Sequence, residues 1–342
     1  MQLQNKNLMK WSFALPMTVV AFSGIVACGA PAQRESQDDS ASSALINAPE
    51  DSGHLFSVGV CGGSPNQDPN AGALGVCLVA GRRCTGTLVA PNLILTARHC
   101  VDTEQFTDGI PYCDNTFANT PVPDSHVTLS DSTLVGTPDW LDVAETRLPN
   151  TNRLCDDDMA LLVLKNNVPG SVVKPISVDL GRDLAKSPPE AITIVGRGVI
   201  AQHLDLETGE TTYDQAGLKR RILKNIPFVC ASDVDETCVV EDYSSPPSNI
   251  FKLPKSLALF GIGSASGDSG AGYLEQSSFN AGHPTVIAVD TLGTYAGDGS
   301  VNSSIGLRTS LKKDFLRQGA QHAAELGGYP VPVWARDHAT QD

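Results

Sequence analysis

The sequence is poor in aromatic residues, which make up 6% of it, and holds only four methionines and three tryptophans. It also lacks any surplus of positive charge: 24 Lys and Arg stand against 38 Asp and Glu, a formal net charge of −14. Such a chain repels a phosphate backbone, which excludes nucleic acid as a partner unless a local basic stripe exists. The most basic cluster, Lys219-Arg220-Arg221 with Lys224, sits in an alternating apolar pattern and reads as the solvated side of a strand. No two cysteines form a C-x-x-C pair, and only His99, beside Cys100, lies at ligand spacing from a cysteine, so a zinc site has little to rest on. Long helical periods are missing until roughly the last forty residues.

What is present describes a globular protein. With 342 residues, 41% of them hydrophobic and 18% charged, the chain is long enough for one large domain or two. At the N-terminus Lys6 and Lys10 precede an apolar stretch from Trp11 to Ala27 that Pro16 and Gly24 interrupt, the pattern of an export signal rather than a spanning helix. Its end, Ile25-Val26-Ala27-Cys28, resembles a bacterial lipoprotein box, which makes Cys28 the expected lipidation site. An ordinary secretory cleavage after Ala30-Pro31-Ala32 is the alternative. The polar run Gln33 to Ser43 reads as a flexible tether. The expected location is the bacterial outer membrane or periplasm as a lipoprotein, or outside the cell after processing.

There are nine cysteines, and setting Cys28 aside as an anchor leaves an even number, suited to disulfides in an oxidising compartment. Spacing pairs Cys230 with Cys238, Cys61 with Cys77, and Cys113 with Cys155. From Val58 onward, short apolar runs broken by Gly, Pro, Asn and Asp indicate a mostly β protein. Leu88-Val89 and Leu93-Ile94-Leu95 flank Ala90-Pro91-Asn92 as a hairpin. Met159 to Leu164, Ala191 to Val195, Leu218 to Phe228 and Val286 to Val289 supply further strands. Ser310 to Leu326, with Leu311, Phe315, Leu316, Ala323 and Leu326, fits one amphipathic helix. A polar stretch near 166–189 is the expected boundary between two β-rich halves.

Three motifs carry chemistry. In Cys84-Thr85-Gly86 through Ala97-Arg98-His99-Cys100 a histidine ends a hairpin, and a Cys84–Cys100 disulfide across it would fix the turn and orient the imidazole. In Asp157-Asp158-Met159-Ala160-Leu161-Leu162, Asp156 and Asp157 read as loop residues. Asp158, directly before the apolar run, suits a buried carboxylate that accepts an imidazole N–H. Gly261-Ile262-Gly263-Ser264-Ala265-Ser266-Gly267-Asp268-Ser269-Gly270-Ala271-Gly272 is dense enough in glycine to turn sharply and present N–H groups to an anion. An α/β-hydrolase would need G-x-S-x-G and the serine before its partners, and Ala271 breaks that pattern.

In the order His99, Asp158, Ser269, the motifs resemble the chymotrypsin-like (trypsin-fold) serine peptidases over about 46–316. Ile192 to Gly198 resembles the strand and Gly-Trp-Gly turn opening that family's second barrel, with Arg197 in place of the tryptophan. Val289-Asp290-Thr291-Leu292-Gly293 and Gly306 to Leu311 resemble its substrate-aligning and final strands.

The resemblance implies an all-β fold of two six-stranded antiparallel Greek-key barrels with the site between them, plus a C-terminal helix. The first barrel is expected at about 46–170, the second at about 190–310, the helix at about 310–326 and a tail at 327–342. A signal at 1–28 and a tether or propeptide at 29–45 precede them. It further implies a serine endopeptidase with His99, Asp158 and Ser269 as triad, Gly267 and Ser269 as oxyanion donors, and no cofactor. Ile46 is expected to become a new N-terminus that pairs with Asp268 in a zymogen cut after Leu45. Gly263, Gly293 and Gly306 are expected to form an open specificity pocket for a large apolar residue, with Asp298 able to restore a basic preference. Protein or peptide substrates, a protein inhibitor and a lipid anchor are the expected partners. A non-catalytic binding homologue and an esterase with the same triad are the competing functions.

Overall fold

The structure, a computed structural model, describes residues 45, 48–63, 77, 83–107, 112–131, 139–214, 219–233, 238–243, 249–261 and 263–336. The export signal, Cys28, the tether and Ile46 lie outside the described residues.

Six strands close the first barrel: β1 (Ser57–Cys61), β2 (Arg83–Ala90), β3 (Leu93–Thr96), β4 (His126–Thr128), β5 (Trp140–Arg147) and β6 (Ala160–Leu164). Neighbours around it run β1-β2-β3-β6-β5-β4, and β4 returns to β1 through Val60↔Val127. Six more close the second: β7 (Ala191–Gly196), β8 (Arg221–Ala231), β9 (Leu257–Phe260), β10 (Gly272–Glu275), β11 (Thr285–Tyr295) and β12 (Val301–Arg308). Their order, β7-β8-β9-β12-β11-β10 with β10 returning to β7, repeats the first barrel's. The polar connection near 166–189 contributes the short strand Ser177–Val178, which adds in parallel to the edge of β11.

Burial follows the sequence pattern. β3 (LILT) and β6 (ALLVL) are buried at every position, as uninterrupted apolar strands must be when both faces are covered. Their outer cover is the C-terminal helix (Lys313–Gly327), whose inward face is small: a Cβ on Gly319 would collide with Leu161 Cδ1. Small residues at Gly319, Ala320, Ala323 and Ala324 let the helix axis approach the strand. The expected apolar stripe therefore holds for Leu316 and Ala323 but not for Leu311 and Leu326, which are exposed. The helix ends at Gly328 in the left-handed conformation, φ 68°, where a side chain would be strained. Beyond it Tyr329 Oη donates to Asn92 Oδ1 at 2.5 Å, and Trp334 Nε1 donates to the Val89 carbonyl at 3.0 Å, strapping the chain onto the β2–β3 hairpin.

The expected solvated strand side holds for Lys224, which is exposed, and in part for Lys219 and Arg221, but Arg220 turns inward between the barrels. Arg220 is buried, its Nη1 bonded to Asp131 at 2.9 Å and its Nη2 to the Leu129 carbonyl at 2.8 Å. Arg197, also buried, donates to the carbonyls of Ser57 and Ser130. The alternation around Arg220 points at a surface only if the second barrel stands alone. Packed on the first, that face finds backbone carbonyls able to satisfy a guanidinium.

Candidate active site

The imidazole is positioned from the β2–β3 hairpin upward. The chain leaves β3 at Thr96 into a short 3-10 turn, Arg98–Cys100, and the Cys84–Cys100 disulfide ties that turn back to β2 across a Cα separation of 6.1 Å. Arg98 anchors the turn from below: Nε reaches Asp102 at 2.9 Å, Nη1 the Thr151 carbonyl at 2.7 Å, and the guanidinium lies 4.6 Å over the Phe117 ring. His99 is then gripped at two points by one carboxylate. Its backbone N–H donates to Asp158 Oδ1 at 2.9 Å, and its Nδ1 lies 2.8 Å from Asp158 Oδ2. An Nδ1–H facing the carboxylate leaves Nε2 of the neutral ring as a proton acceptor.

Asp158 owes its place to what precedes it. The one-turn helix α1 (Leu154–Asp157) carries Cys155, bonded to Cys113. Asp157 is no loop residue: it is buried, accepts from Thr151 Oγ1 at 2.7 Å and Arg153 N at 2.9 Å, and pairs with Lys312 Nζ at 2.6 Å. Asp156 accepts from Ser256 Oγ at 2.6 Å. Two of the three consecutive aspartates thus fix the segment, and the third faces histidine.

Ser269 comes from the second barrel. Gly267 has φ 102° and Gly270 φ 87°, both in the left-handed region that favours glycine. A Cβ on Gly270 would strike the Thr85 carbonyl and Thr96 Oγ1, so this residue also lets the segment lie against β2 and β3. Thr85 clamps it from the first barrel: its N–H donates to the Ser269 carbonyl at 2.9 Å, its hydroxyl to the Gly267 carbonyl at 2.8 Å. Two further carbonyls are held from behind. Val199 N–H donates to Ser266 O and Ala271 N–H to Asp268 O, each at 2.9 Å. Because C=O and N–H point oppositely in a trans peptide, the N–H groups of Gly267 and Ser269 are turned the other way.

A cleft of ~290 Å³ is lined by His99, Glu104, Gln202, Ser269, Leu292 and Tyr295, among others. Burial alone would lower the His99 pKa, but the charge and hydrogen bond of Asp158, with Glu104 and Asp290, raise it to about 9. Glu104 is itself raised by burial. Asp290, buried with the Tyr273 hydroxyl donating to it at 2.5 Å, is raised by burial to about 6. Sequence reasoning missed Glu104, Gln202, Asp290 and Tyr295. Only Asp290, inside the quoted strand, carried a signal: an acid within an otherwise apolar run.

The three glycines expected to form the pocket stand in different surroundings. Val301 fills the space beneath Gly263, where a Cβ would collide with Val301 Cγ1. Gly306 faces the barrel interior, its Cβ position 2.7 Å from Tyr273 Cε2 and 3.1 Å from Phe260 Cε2. Gly293 alone of the three lines the cleft, and there the opposite wall is close: a Cβ on it would lie 2.5 Å from the Ser264 carbonyl. Asp298 is exposed and engaged by Ser300 N at 2.9 Å and Ser300 Oγ at 2.6 Å within its own turn. The buried acid nearby is Asp290, bonded to the Tyr273 hydroxyl and to Ser264.

Asp268 is fully buried and accepts from Gly198 N at 2.7 Å and Ala265 N at 3.0 Å, yet burial still pushes it up to about 7. Beside it lies Leu45, 2% exposed: a Cβ on Gly196 would meet both Asp268 Oδ1 and, at 2.9 Å, Leu45 Cδ1. All four expected cysteine pairs are bonded, Cys61–Cys77, Cys84–Cys100, Cys113–Cys155 and Cys230–Cys238. Cys84 and Cys100 lie near His99 at ligand distance, but as a disulfide they offer no thiolate to a metal.

Among the described residues no helix is long and apolar enough to cross a membrane. A search of curated proteins finds no match. The Trypsin family model matches residues 60–238, just over half of the chain, and ends before Ser269. With two closed barrels of one topology around the cleft, that match makes the chain a member of the trypsin family of chymotrypsin-like serine peptidases.

Proposed function

We propose that the protein is an exported serine endopeptidase, made as a precursor, with Ser269 as nucleophile, His99 as general base and acid, and Asp158 as the carboxylate that orients the ring. The observation that carries this reading is the two-point bond between His99 and Asp158 in the cleft that Ser269 also lines. His99 takes the Ser269 proton as the hydroxyl oxygen attacks the peptide carbonyl, then returns it to the departing amine. The acyl-enzyme left on Ser269 is hydrolysed by water through the same base. The outward N–H groups of Gly267 and Ser269 stabilise the oxyanion, an effect worth roughly 3 to 4 kcal/mol for one donor in related chemistry.

The precursor reading rests on Asp268 and Leu45. Among the described residues, the buried carboxylate raised to about 7 has no positive partner. Cleavage after Ala44 creates an ammonium at Leu45, the residue already packed beside that carboxylate, whereas the expected cut after Leu45 removes it. The same cleavage detaches the domain from an anchor at Cys28. A slot narrowed by Val301 and Ser264 favours a small residue before the scissile bond, such as alanine, over the large apolar one read from the glycines. Active protein should begin at Leu45 on N-terminal sequencing; a start at Ile46, Cys28 or Gln33 contradicts this activation.

Hydrolysis of casein by the wild type, with Ser269→Ala inert, tests the peptidase itself. Activity on a simple ester alone would favour the esterase reading.

A further inference from the structure

The family match leaves unexplained what holds the loop between Gly263 and Gly267, since Ala265 offers no cysteine to cross-link it. A hairpin outside the barrels, Ala201–Leu204 paired with Thr211–Asp214, lies across that loop and across the rim strand β11. We propose that this hairpin is a non-covalent clamp on the catalytic cleft and that Gln202 is its positioning residue. The inference rests on the serine peptidase reading above.

The hydrogen bonds define the clamp. Gln202 Oε1 accepts from the Ser266 backbone N–H at 2.7 Å, and Gln202 Nε2 donates to the Tyr295 hydroxyl. A backbone N–H can only donate, so the amide oxygen must face Ser266 and the NH2 group is left for Tyr295. The carbonyl of Ser266 is taken by Val199 N–H at 2.9 Å. Both polar groups of the residue before Gly267 are therefore held by the segment that leads into the hairpin. The peptide between Ser266 and Gly267 carries the Gly267 N–H, so a rotation of that peptide swings an oxyanion donor out of place.

At its other end the clamp fixes the rim. The Tyr295 hydroxyl also interacts with the Thr211 side chain on the hairpin's second strand. The Tyr295 backbone is held from the opposite side, its N–H by Asp242 Oδ1 at 3.0 Å and its carbonyl by Tyr243 N–H at 3.2 Å. The hairpin backbone joins in: Leu204 N–H donates to the Gly299 carbonyl at 2.9 Å, and His203 bridges to Ser300. Gly299, with φ 81°, has no room for a side chain against the Leu204 carbonyl. One amide thus couples the loop that carries an oxyanion donor to the strand that forms the rim.

The test uses the processed, disulfide-intact protein and two readouts: the rate of labelling by a fluorophosphonate probe, and kcat and KM on a peptide amide. Gln202→Met, similar in size but without either hydrogen bond, should slow labelling and lower kcat by about 10- to 100-fold, a fraction of the loss on deleting an oxyanion donor. Gln202→Glu keeps an acceptor for Ser266 N–H and should recover most of that loss. Tyr295→Phe should act chiefly on KM, and the Gln202→Met/Tyr295→Phe pair should be non-additive. If Gln202→Met does not fold, Gln202→Asn, too short to reach both partners, takes its place. Equal slowing by the Met and Glu variants, or no slowing by either, overturns the clamp. A wild type that the probe does not label overturns the peptidase reading instead.

Discussion

The two barrels repeat one strand order yet hold their reacting groups by different means. In the first, His99 and Asp158 are stapled covalently: Cys84–Cys100 closes the turn that bears the histidine, and Cys113–Cys155 pins the one-turn helix before the aspartate. In the second, the segment bearing Ser269 carries no cysteine of its own, although the Cys100 sulfur of the first barrel's disulfide lies 3.8 Å from the Ser269 carbonyl. It is held by Thr85 from the other barrel, by the buried Asp268 and by the Gln202 hairpin. Covalent staples fix one half once the protein oxidises, whereas hydrogen bonds hold the other around a buried carboxylate that, on the proposed activation, a single cleavage would supply with a positive partner. On the proposed mechanism, one barrel supplies a rigid base and the other a nucleophile loop that processing would adjust.

The largest effect comes from removing a reacting group on either side. Ser269→Ala and His99→Ala should each lower kcat by on the order of 10⁴ to 10⁶, and the double variant little further, because the groups act as a unit. Steady-state kinetics against an active-site-titrated wild type measures this. A double variant far worse than either single one would break the link between the barrels.

Asp268→Asn separates the halves. It places an amide N–H₂ where Gly198 and Ala265 already present N–H groups, so the second barrel's loop should shift while His99 and Asp158 stay as they are. Labelling of Ser269 should fall by about 10² to 10³, as for a lost oxyanion donor, with the His99 titration seen by NMR unchanged.

Removing disulfides should weigh on the first barrel. The chain-entropy relation gives losses of roughly 4 kcal/mol for Cys113–Cys155, 3 for Cys84–Cys100 and 2.5 for Cys230–Cys238, with sequence separations of 42, 16 and 8. Chemical denaturation of the paired Cys→Ser variants measures the order. Only the Cys230–Cys238 pair should leave kcat near the wild-type value, since it lies away from the cleft.

The smallest effects are titrations. His99 acts as a base only when neutral, so a pKa of about 9 places the acidic limb of kcat/KM near pH 9, and Glu104→Gln should move it downward by removing a nearby negative charge. Asp268 behaves differently before and after cleavage. In the precursor its native pKa, about 7, lies above its ordinary value of 3.8, so between these pH values the native state binds more protons than the unfolded one. Its contribution is therefore full below pH 3.8 and lost as pH rises through 7. Processed protein, with an ammonium at Leu45, should lack that loss in pH-dependent denaturation.

Much of this was legible in the sequence because local chemistry announces it. The hairpin around Pro91 and Asn92, the run from Met159 to Leu164 and the cysteine pairs other than Cys113–Cys155 depend on neighbours close along the chain. The triad residues sit in motifs whose composition serves geometry. What sequence reasoning missed depends on distant parts. Arg220 is buried only because the first barrel supplies the carbonyls of Leu129 and Ser57. Asp157 is buried because Lys312, far along the chain, reaches it. The neighbours of Gly263 and Gly306, Val301 and Tyr273, come from other strands and gave no signal in the sequence around those glycines. For the activation residue, Ala44-Leu45-Ile46 offers no basic residue to fix the register; Ile46, the residue expected from the sequence, lies outside the described residues, and the proposal of Leu45 rests on its burial beside Asp268.

Peptide mapping by mass spectrometry after fluorophosphonate labelling of disulfide-intact protein tests the central claim most directly. A single adduct on Ser269, fast in protein that begins at Leu45 and slow in the uncut precursor, is the predicted result. An adduct on another residue, or equal labelling of both forms, would contradict the account.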